Sequence, residues 1–335
     1  MLEILKPGLE TTVQELPGRI GHWEQGFPPS GPADPWSFRL ANLLVGNDRD
    51  TAALEWQFVG PALRFHRDCT IALTGADMAV KLDDTPVPLW QTLRVRTGQV
   101  LTCGAARTGA RGYIAIAGGV QTPAVLGSRA TFHMAGIGGV SGGALKNGER
   151  LPLGEAASSR GLLQVAPAAR PPIDLKDRTR HEEQAIAAML GPNDSWLHSD
   201  AIEMFFSSEW TVQARSNRTG LRLTGPDFTF SERAYSKRPE HGRDPSNILD
   251  HGYPLGGISI AGQTAIILIH DAPSAGGFII PFTVPRCDLW RLGQARPNEK
   301  LRFRQVTMND ASAARRRLDE LCSHQSLVDL ARWIA

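Results

Sequence analysis

At 335 residues the chain exceeds one typical domain and is long enough to bury two cores. Its 41% hydrophobic and 21% charged content is ordinary for a globular protein, and a net charge of +2 gives no ground for a nucleic-acid or anionic-membrane partner. The longest apolar runs, 265–269 and 278–282, are strand-sized, far below the roughly 18 residues of a membrane helix. Residues 1–7 hold neither a basic stretch nor a long apolar one, so no secretion signal is expected. Cys69, Cys103, Cys287 and Cys322 share no close spacing, which predicts reduced thiols and a cytoplasmic protein.

In chain order, the first informative segment is 27–47. Pro28, Pro29 and Pro32 remove backbone donors and restrict φ, with Gly31 among them, so this part must run as an ordered turn. Asp34 then suits an N-cap and Pro35 the first helical position, with Phe38, Leu40, Ala41, Leu44 and Val45 facing inward. Ser30, Asp34, Ser37, Arg39 and Asn42 are its polar groups, and capping or internal pairing competes with any binding role for them. Short β-prone runs follow at 62–65, 69–73, 79–82, 93–95 and 113–117, and again at 210–214, 257–260 and 264–270. Their spacing predicts barrels or sandwiches rather than a doubly wound sheet.

One turn pattern occurs three times, at 95–101, 145–151 and 295–301, each with Gly or Asn (Gly98, Gly148, Asn298) where φ must be positive. The repetition hints at two similar barrels. Residues 156–177, carrying Pro167, Pro171 and Pro172 among small residues, read as a linker. The stretch 181–190 is ambiguous: its Glu and Ala content favours a helix, whereas the pattern of the family it resembles, taken up below, places a strand at 185–190 ending at Gly191-Pro192. In the tail, Asn309 or Asp310 caps a helix with Leu318, Leu321 and Cys322 on one face, and a second short segment carries Leu327, Leu330, Ala331 and Ile334.

No familiar catalytic machine is complete. There is no HExxH, the nine histidines are unclustered, and no metal site is expected. The glycine-rich run 136–143 lacks both the Rossmann spacing and the Lys-Ser/Thr of a P-loop.

Segment 27–47, the run His241-Gly242-Arg243-Asp244-Pro245-Ser246-Asn247-Ile248-Leu249-Asp250-His251-Gly252-Tyr253-Pro254-Leu255-Gly256, the run 271–278 and Leu289-Trp290-Arg291-Leu292-Gly293-Gln294 together resemble the carboxyltransferase part of urea carboxylase. That family, also known as allophanate hydrolase subunit 2, includes the C subunit of 5-oxoprolinase and the sporulation regulator KipA. The resemblance runs in order over about residues 5–306, and the Pro-Ser-Asn and Leu-Trp-x-Leu-Gly-Gln elements look closest to urea carboxylase. In the family an Arg usually follows the glycine-rich loop; here Gly143 stands in its place.

The resemblance implies a mainly β protein of two tandem cyclophilin-like β-barrel domains with a short helical C-terminal tail: a first barrel at 1–155, the linker at 156–177, a second barrel at 178–306 and the tail at 307–335. It implies a carboxyltransferase component that moves CO2 from carboxybiotin to the nitrogen of urea, guanidine or a related amide. The chain has no Met-Lys biotinylation motif and no ATP-grasp-sized domain. Biotin carboxylase, biotin carrier protein and a companion carboxyltransferase unit (allophanate hydrolase subunit 1, KipI-like) are therefore expected as partners, with ATP used only by a partner. Asp250 and Asp271 lead as catalytic carboxylates. Ser246, Asn247, Ser274, Gly276, Gly277, Tyr253, His241, Ser30, Asp34 and Arg129 are the substrate-binding candidates. Turn capping competes for each Asp, Ser and Asn, and internal ion pairing for Arg129 and Arg218. The C subunit of a 5-oxoprolinase, opening a lactam with ATP, and a non-catalytic module that antagonises its companion stand as alternatives.

Overall fold

The computed structural model describes residues 1–156, 161–173 and 184–330. Its described residues form two units, one drawn from Met1–Ile20, Pro29–Asp174 and Arg317–Ala335, the other from Gly21–Pro28 and Leu175–Arg316. The protein is mainly β, as expected from the punctuated strand pattern.

In the first unit the strands run in the order Thr12–Gln14, Ala53–Gln57, Val100–Ile116, Ala62–Phe65, Leu2–Lys6 and Arg150–Leu151. The two β-prone runs at 69–73 and 79–82 are one strand, Cys69–Leu82, which pairs with Val100–Ile116 from Ile71↔Ile116 to Leu82↔Leu101. Register shifts between Gly75 and Val80 bend this pair, and a bent pair wraps a core that a flat one would leave open. Leu2, Ile4, Leu54, Trp56, Leu63, Phe65, Leu73 and Ile114 fill that core.

The helix Pro35–Leu44 starts where its sequence predicts. Asp34 Oδ1 accepts the N–H groups of Trp36 and Ser37, both at 3.0 Å. Beneath the cap lies a buried network absent from the sequence reading. Tyr113 donates its hydroxyl to Glu55 Oε2 at 2.8 Å and accepts the Asp34 N–H at 2.7 Å. Ala33 N–H reaches the same Glu55 oxygen, and Arg111 pairs with Glu55 Oε1 at 3.3 Å.

In the second unit the sheet order is Lys300–Leu301, Trp210–Val212, Gly220–Thr224, Thr264–Leu268, Gly257–Ala261, Ala275–Thr283, Ile186–Leu190 and Phe303–Gln305. The first and last strands of that path are separated in sequence by Arg302 alone, so the sheet must curl round upon itself into a nearly closed barrel. The helix Ser199–Ser207 sends Phe205 into its core, stacked on Phe282 at 3.9 Å and Phe303 at 4.7 Å. The strand expected at 185–190 is Ile186–Leu190.

The three repeated turns are built alike. Gly98, Gly148 and Asn298 have φ of 89°, 83° and 67°. In each, the side-chain oxygen of the next residue (Gln99, Glu149, Glu299) accepts the backbone N–H three positions earlier, at 2.8, 2.9 and 3.1 Å.

Two expectations need correction. Residues 161–173 of the expected linker are not a free connection: Leu163–Val165 is a strand, and Ala169 O accepts Trp36 Nε1–H at 2.9 Å; residues 157–160 and 174–177 lie outside the described ones. The tail is only partly helical. Met308–Leu321 is a helix, but its cap is Thr307, which shares a reciprocal pair of bonds with Asp310, so Asp310 closes a capping box instead of capping. Leu327–Asp329 is a strand paired antiparallel with Leu163–Val165, whose backbone groups it satisfies in place of a helix's own. Ala331 and Ile334 lie outside the described residues.

Two outcomes are expected. Phe205→Ala should cost about 3–5 kcal/mol in denaturant unfolding, the range for emptying a packed aromatic site. Burial, then the charges of Glu55 and Asp34, push the Tyr113 phenol well above its ordinary range. The unfolded chain therefore sheds this proton first, near about pH 10. The network's stabilisation is complete below that pH and lost as pH rises above it, so the unfolding midpoint should fall from about pH 10 upward, and less steeply in Tyr113→Phe.

Candidate functional site

Strand pairing brings together the two motif runs that lie apart in sequence. Asn247–Gly252 lies antiparallel to Ala275–Thr283, with Asn247 opposite Phe278, His251 opposite Gly276 and Gly252 opposite Ala275. The register shifts between Asn247 and His251, so the strand bulges at Ile248, Leu249 and Asp250. Bulges re-aim side chains, and this one lays Asp250 across its partner strand: a Cβ on Gly277 would sit 3.0 Å from Asp250 Oδ1. The neighbouring Gly276 serves Tyr253 in the same way, since a Cβ there would lie 2.5 Å from the phenol ring. The two glycines are thus gaps into which a carboxylate and a phenol settle.

Tyr253 is buried and ties the strand edge, accepting Phe278 N–H at 2.8 Å. Burial raises its pKa, with the Asp250 charge adding to the rise. His251 Nε2 stands 3.0 Å from Phe278 O, its ring edge-on to Tyr253. Asp250 itself is exposed, and no ion pair to it occurs among the described residues.

The other candidates divide sharply. Ser246 is buried and its hydroxyl is committed twice, donating to Asp244 Oδ1 at 2.6 Å and accepting Gly262 N–H at 2.9 Å. Bonds from the Ser246 hydroxyl and backbone N–H hold the Asp244 carboxyl below its usual range. Asp271 is 4% exposed and makes a two-point pair with Arg218, Nε–Oδ2 at 2.8 Å and Nη2–Oδ1 at 3.3 Å. Ser274 contributes its backbone carbonyl to Tyr253 N–H. His241 stacks on Trp196 at 6.2 Å, and Asn247 Nδ2 lies against Gly242, 2.7 Å from where a Cβ would be.

Ser30, Asp34 and Arg129 belong to the first unit. Asp34 is the helix cap described above. Ser30 is buried with φ of 57°, and its hydroxyl has no hydrogen-bond partner among the described residues. Arg129 Nη1 stands 3.7 Å from Glu15 Oε2, and Nη2 donates to Gln121 at 3.2 Å. A cavity of about 570 Å³ beside Trp90 and Arg170 in that unit contains none of the candidates. Burial pushes the thiols up, Cys69 to about 11 and Cys322 to about 12, so neither is a nucleophile near neutral pH. Among the described residues, no three His, Cys, Asp or Glu side chains are placed to hold a metal ion, and no helix is long and apolar enough to cross a membrane.

Residues 25–305 match the family model for the carboxyltransferase domain, subdomains A and B. The chain belongs to the carboxyltransferase domain family. It is 38% identical to urea amidolyase of Saccharomyces cerevisiae over 304 residues, 90% of this chain and 16% of that protein. It is 32% identical to the C subunit of 5-oxoprolinase from Escherichia coli over 321 residues, 94% of each chain. The crystal structure of Kluyveromyces lactis urea carboxylase superposes with a TM-score of 0.88 at 34% identity, over 98% of this chain and 30% of that one. The carboxyltransferase domain thus spans about a sixth of the urea amidolyases it matches, and nearly all of the matched 5-oxoprolinase polypeptide.

Sequence reasoning passed over Lys237 and Trp196, which brace the Asn247 end of the hairpin, and the Glu55–Arg111–Tyr113 network. Nothing in their spacing marks them, since each group is assembled by strands and turns distant in the chain. Asp271 and Asp250 should separate cleanly in unfolding experiments. Asp271→Asn strands a buried guanidinium and should cost about 3–5 kcal/mol. Asp250→Asn, at an exposed position, should stay within about 0.5 kcal/mol of the parent.

Proposed function

We infer that this chain is the carboxyltransferase component of a biotin-dependent urea carboxylase-like enzyme, transferring a carboxyl group to the nitrogen of urea, guanidine or a related amide. One observation carries the reading: an exposed carboxylate, Asp250, laid over Gly277 and sharing a strand with Asn247, on a hairpin built from two motif runs in a chain of the carboxyltransferase family.

The acceptor's chemistry explains why such a hairpin suits it. An amide-like nitrogen is a poor nucleophile because its lone pair is delocalised into the carbonyl, so the site must orient it and take its proton. Asp250 accepts hydrogen bonds from the acceptor's N–H groups and takes the proton as the lone pair commits to the new bond. An ionised carboxylate is too weak a base to do so earlier, so proton transfer must accompany bond formation. The Asn247 amide offers both a donor and an acceptor, matching a urea-like group that presents both. Asn247 and Asp250 lie close together on one hairpin strand, so the backbone limits their separation before the acceptor arrives. Biotin, carried on a partner protein, supplies the carboxyl group in activated form.

Under this reading, a biotin carboxylase, a biotin carrier protein and a companion carboxyltransferase unit resembling allophanate hydrolase subunit 1 act with the chain. ATP is consumed by a partner, and the location is cytoplasmic. A second reading has its own support: the end-to-end match to the C subunit of 5-oxoprolinase fits a separate polypeptide that opens a lactam with ATP and partners. In that case Asp250 would face the lactam N–H.

The test is a complex purified on the tagged chain, probed with streptavidin and assayed with urea, guanidine and 5-oxoproline. A biotinylated partner and bicarbonate-dependent turnover of urea or guanidine are expected, with Asp250→Asn lowering turnover by about 100-fold while the complex stays intact. Turnover of 5-oxoproline in a complex free of biotin would select the second reading. Normal turnover in Asp250→Asn would remove Asp250 from the chemistry.

A further inference from the structure

The bulged strand that carries Asp250 begins at a turn held from outside the hairpin. Lys237 Nζ donates to Asn247 O at 2.9 Å and also to Asp244 O, the two carbonyls that bracket Pro245-Ser246. The Asp244 carbonyl also accepts the Asn247 N–H at 3.0 Å, so one ammonium closes the turn that the backbone only half closes. Nζ lies 5.8 Å from the Trp196 ring, a buried indole that also faces the Arg233 guanidinium at 5.4 Å and stacks with His241 at 6.2 Å. A cation over an indole and against two carbonyls is fixed in three directions, unlike the usual solvated lysine. Asp244 is the charged group that acts on Lys237, and partial removal from water lowers its pKa against that favourable charge.

The far side of the turn is equally constrained. Gly242 has φ of 82°, and a Cβ there would come within 2.7 Å of Asn247 Nδ2. The Asn247 side chain is held between the Gly242 turn and the strand, and its backbone carbonyl is held by Lys237. Either release would let Asn247 swing and the bulge at 248–250 slide, since that register is not locked by regular pairing.

We propose that Lys237 is a positioning residue for the acceptor site: its ammonium sets the orientation of Asn247 and the register of the strand that bears Asp250. The proposal rests on the reading of Asp250 and Asn247 as the acceptor-binding pair. It predicts a residue that touches no substrate yet controls how the acceptor is held.

The experiment compares Lys237→Met, which keeps the stem and loses the donors, with Lys237→Arg, which keeps a cation and its donors. In the full chain, amide hydrogen exchange over 244–252 should rise at least tenfold in Lys237→Met and return to within about threefold of the parent in Lys237→Arg. In the assembled complex, kcat/KM for the acceptor should fall at least tenfold in Lys237→Met with KM for the carboxylated carrier unchanged, and Lys237→Arg should recover most of it. Unchanged exchange in Lys237→Met would overturn the proposal. So would raised exchange with unaltered acceptor kinetics, or loss of carrier and acceptor recognition together. If the parent complex transfers nothing to any amide, the functional reading fails, and the exchange comparison still decides whether Lys237 sets the strand.

Discussion

The candidate site depends on one constraint, the antiparallel pairing of Asn247–Gly252 with a strand that has no side chain at two successive positions. Ordinary strands expose alternating side chains on both faces, and a carboxylate cannot lie flat across one of them. Gly276 and Gly277 remove that obstacle, so Tyr253 packs down on one residue and Asp250 on the next. The bulge supplies the matching freedom on the opposite strand. A phenol bonded to the Phe278 amide then stiffens the edge beside an exposed carboxylate. Pre-organisation comes from backbone geometry here, with few side chains spent on holding the Asp250 carboxylate.

Carboxylates in this protein fall into two populations with different physics. Glu55 and Asp271 are buried and each meets an arginine, Arg111 and Arg218. A buried charge of that kind is tolerable only when paired and hydrogen-bonded, and it contributes to specificity of the fold at least as much as to its stability. Asp34, also buried, spends its oxygens on a helix N-terminus and on Ser37. Asp250 belongs to the other population: accessible, and laid on a surface of backbone. A group with few internal obligations can change partner or protonation state during a reaction without unravelling what surrounds it.

Barrel closure explains why distant motifs meet at all. The second unit's sheet returns to its own start through Arg302, and Phe205 with Phe282, Phe303 and Trp210 fills the space it encloses. The strand Ala275–Thr283 carries Phe282 into that core and Gly276-Gly277 out to the site. Burial of one end therefore fixes the position of the other. The match to the carboxyltransferase domain within much longer urea amidolyases fits a module whose core is its own.

Local features were legible in the residues themselves. Pro35 after Asp34 specifies a helix start, Gly98, Gly148 and Asn298 specify positive-φ turns, and β-prone runs between Gly and Pro specify a mainly β chain. Each depends on a few adjacent residues, so tertiary context has little to override. Motif resemblance extended that reach to the family, because ordered motifs over the whole chain are far more specific than any one spacing. Which aspartate is accessible was not legible. Asp250 and Asp271 look alike beside Gly and Pro, and only folding puts Arg218 against one and Gly277 beneath the other. The same holds for Thr307 over Asp310 at the last helix, for the strand Leu327–Asp329, and for Lys237 over Trp196. Sequence by itself determined the helix start, the positive-φ turns and the family, which are local or cumulative properties; tertiary structure alone decided which polar groups are consumed by the fold, because that depends on partners many residues away.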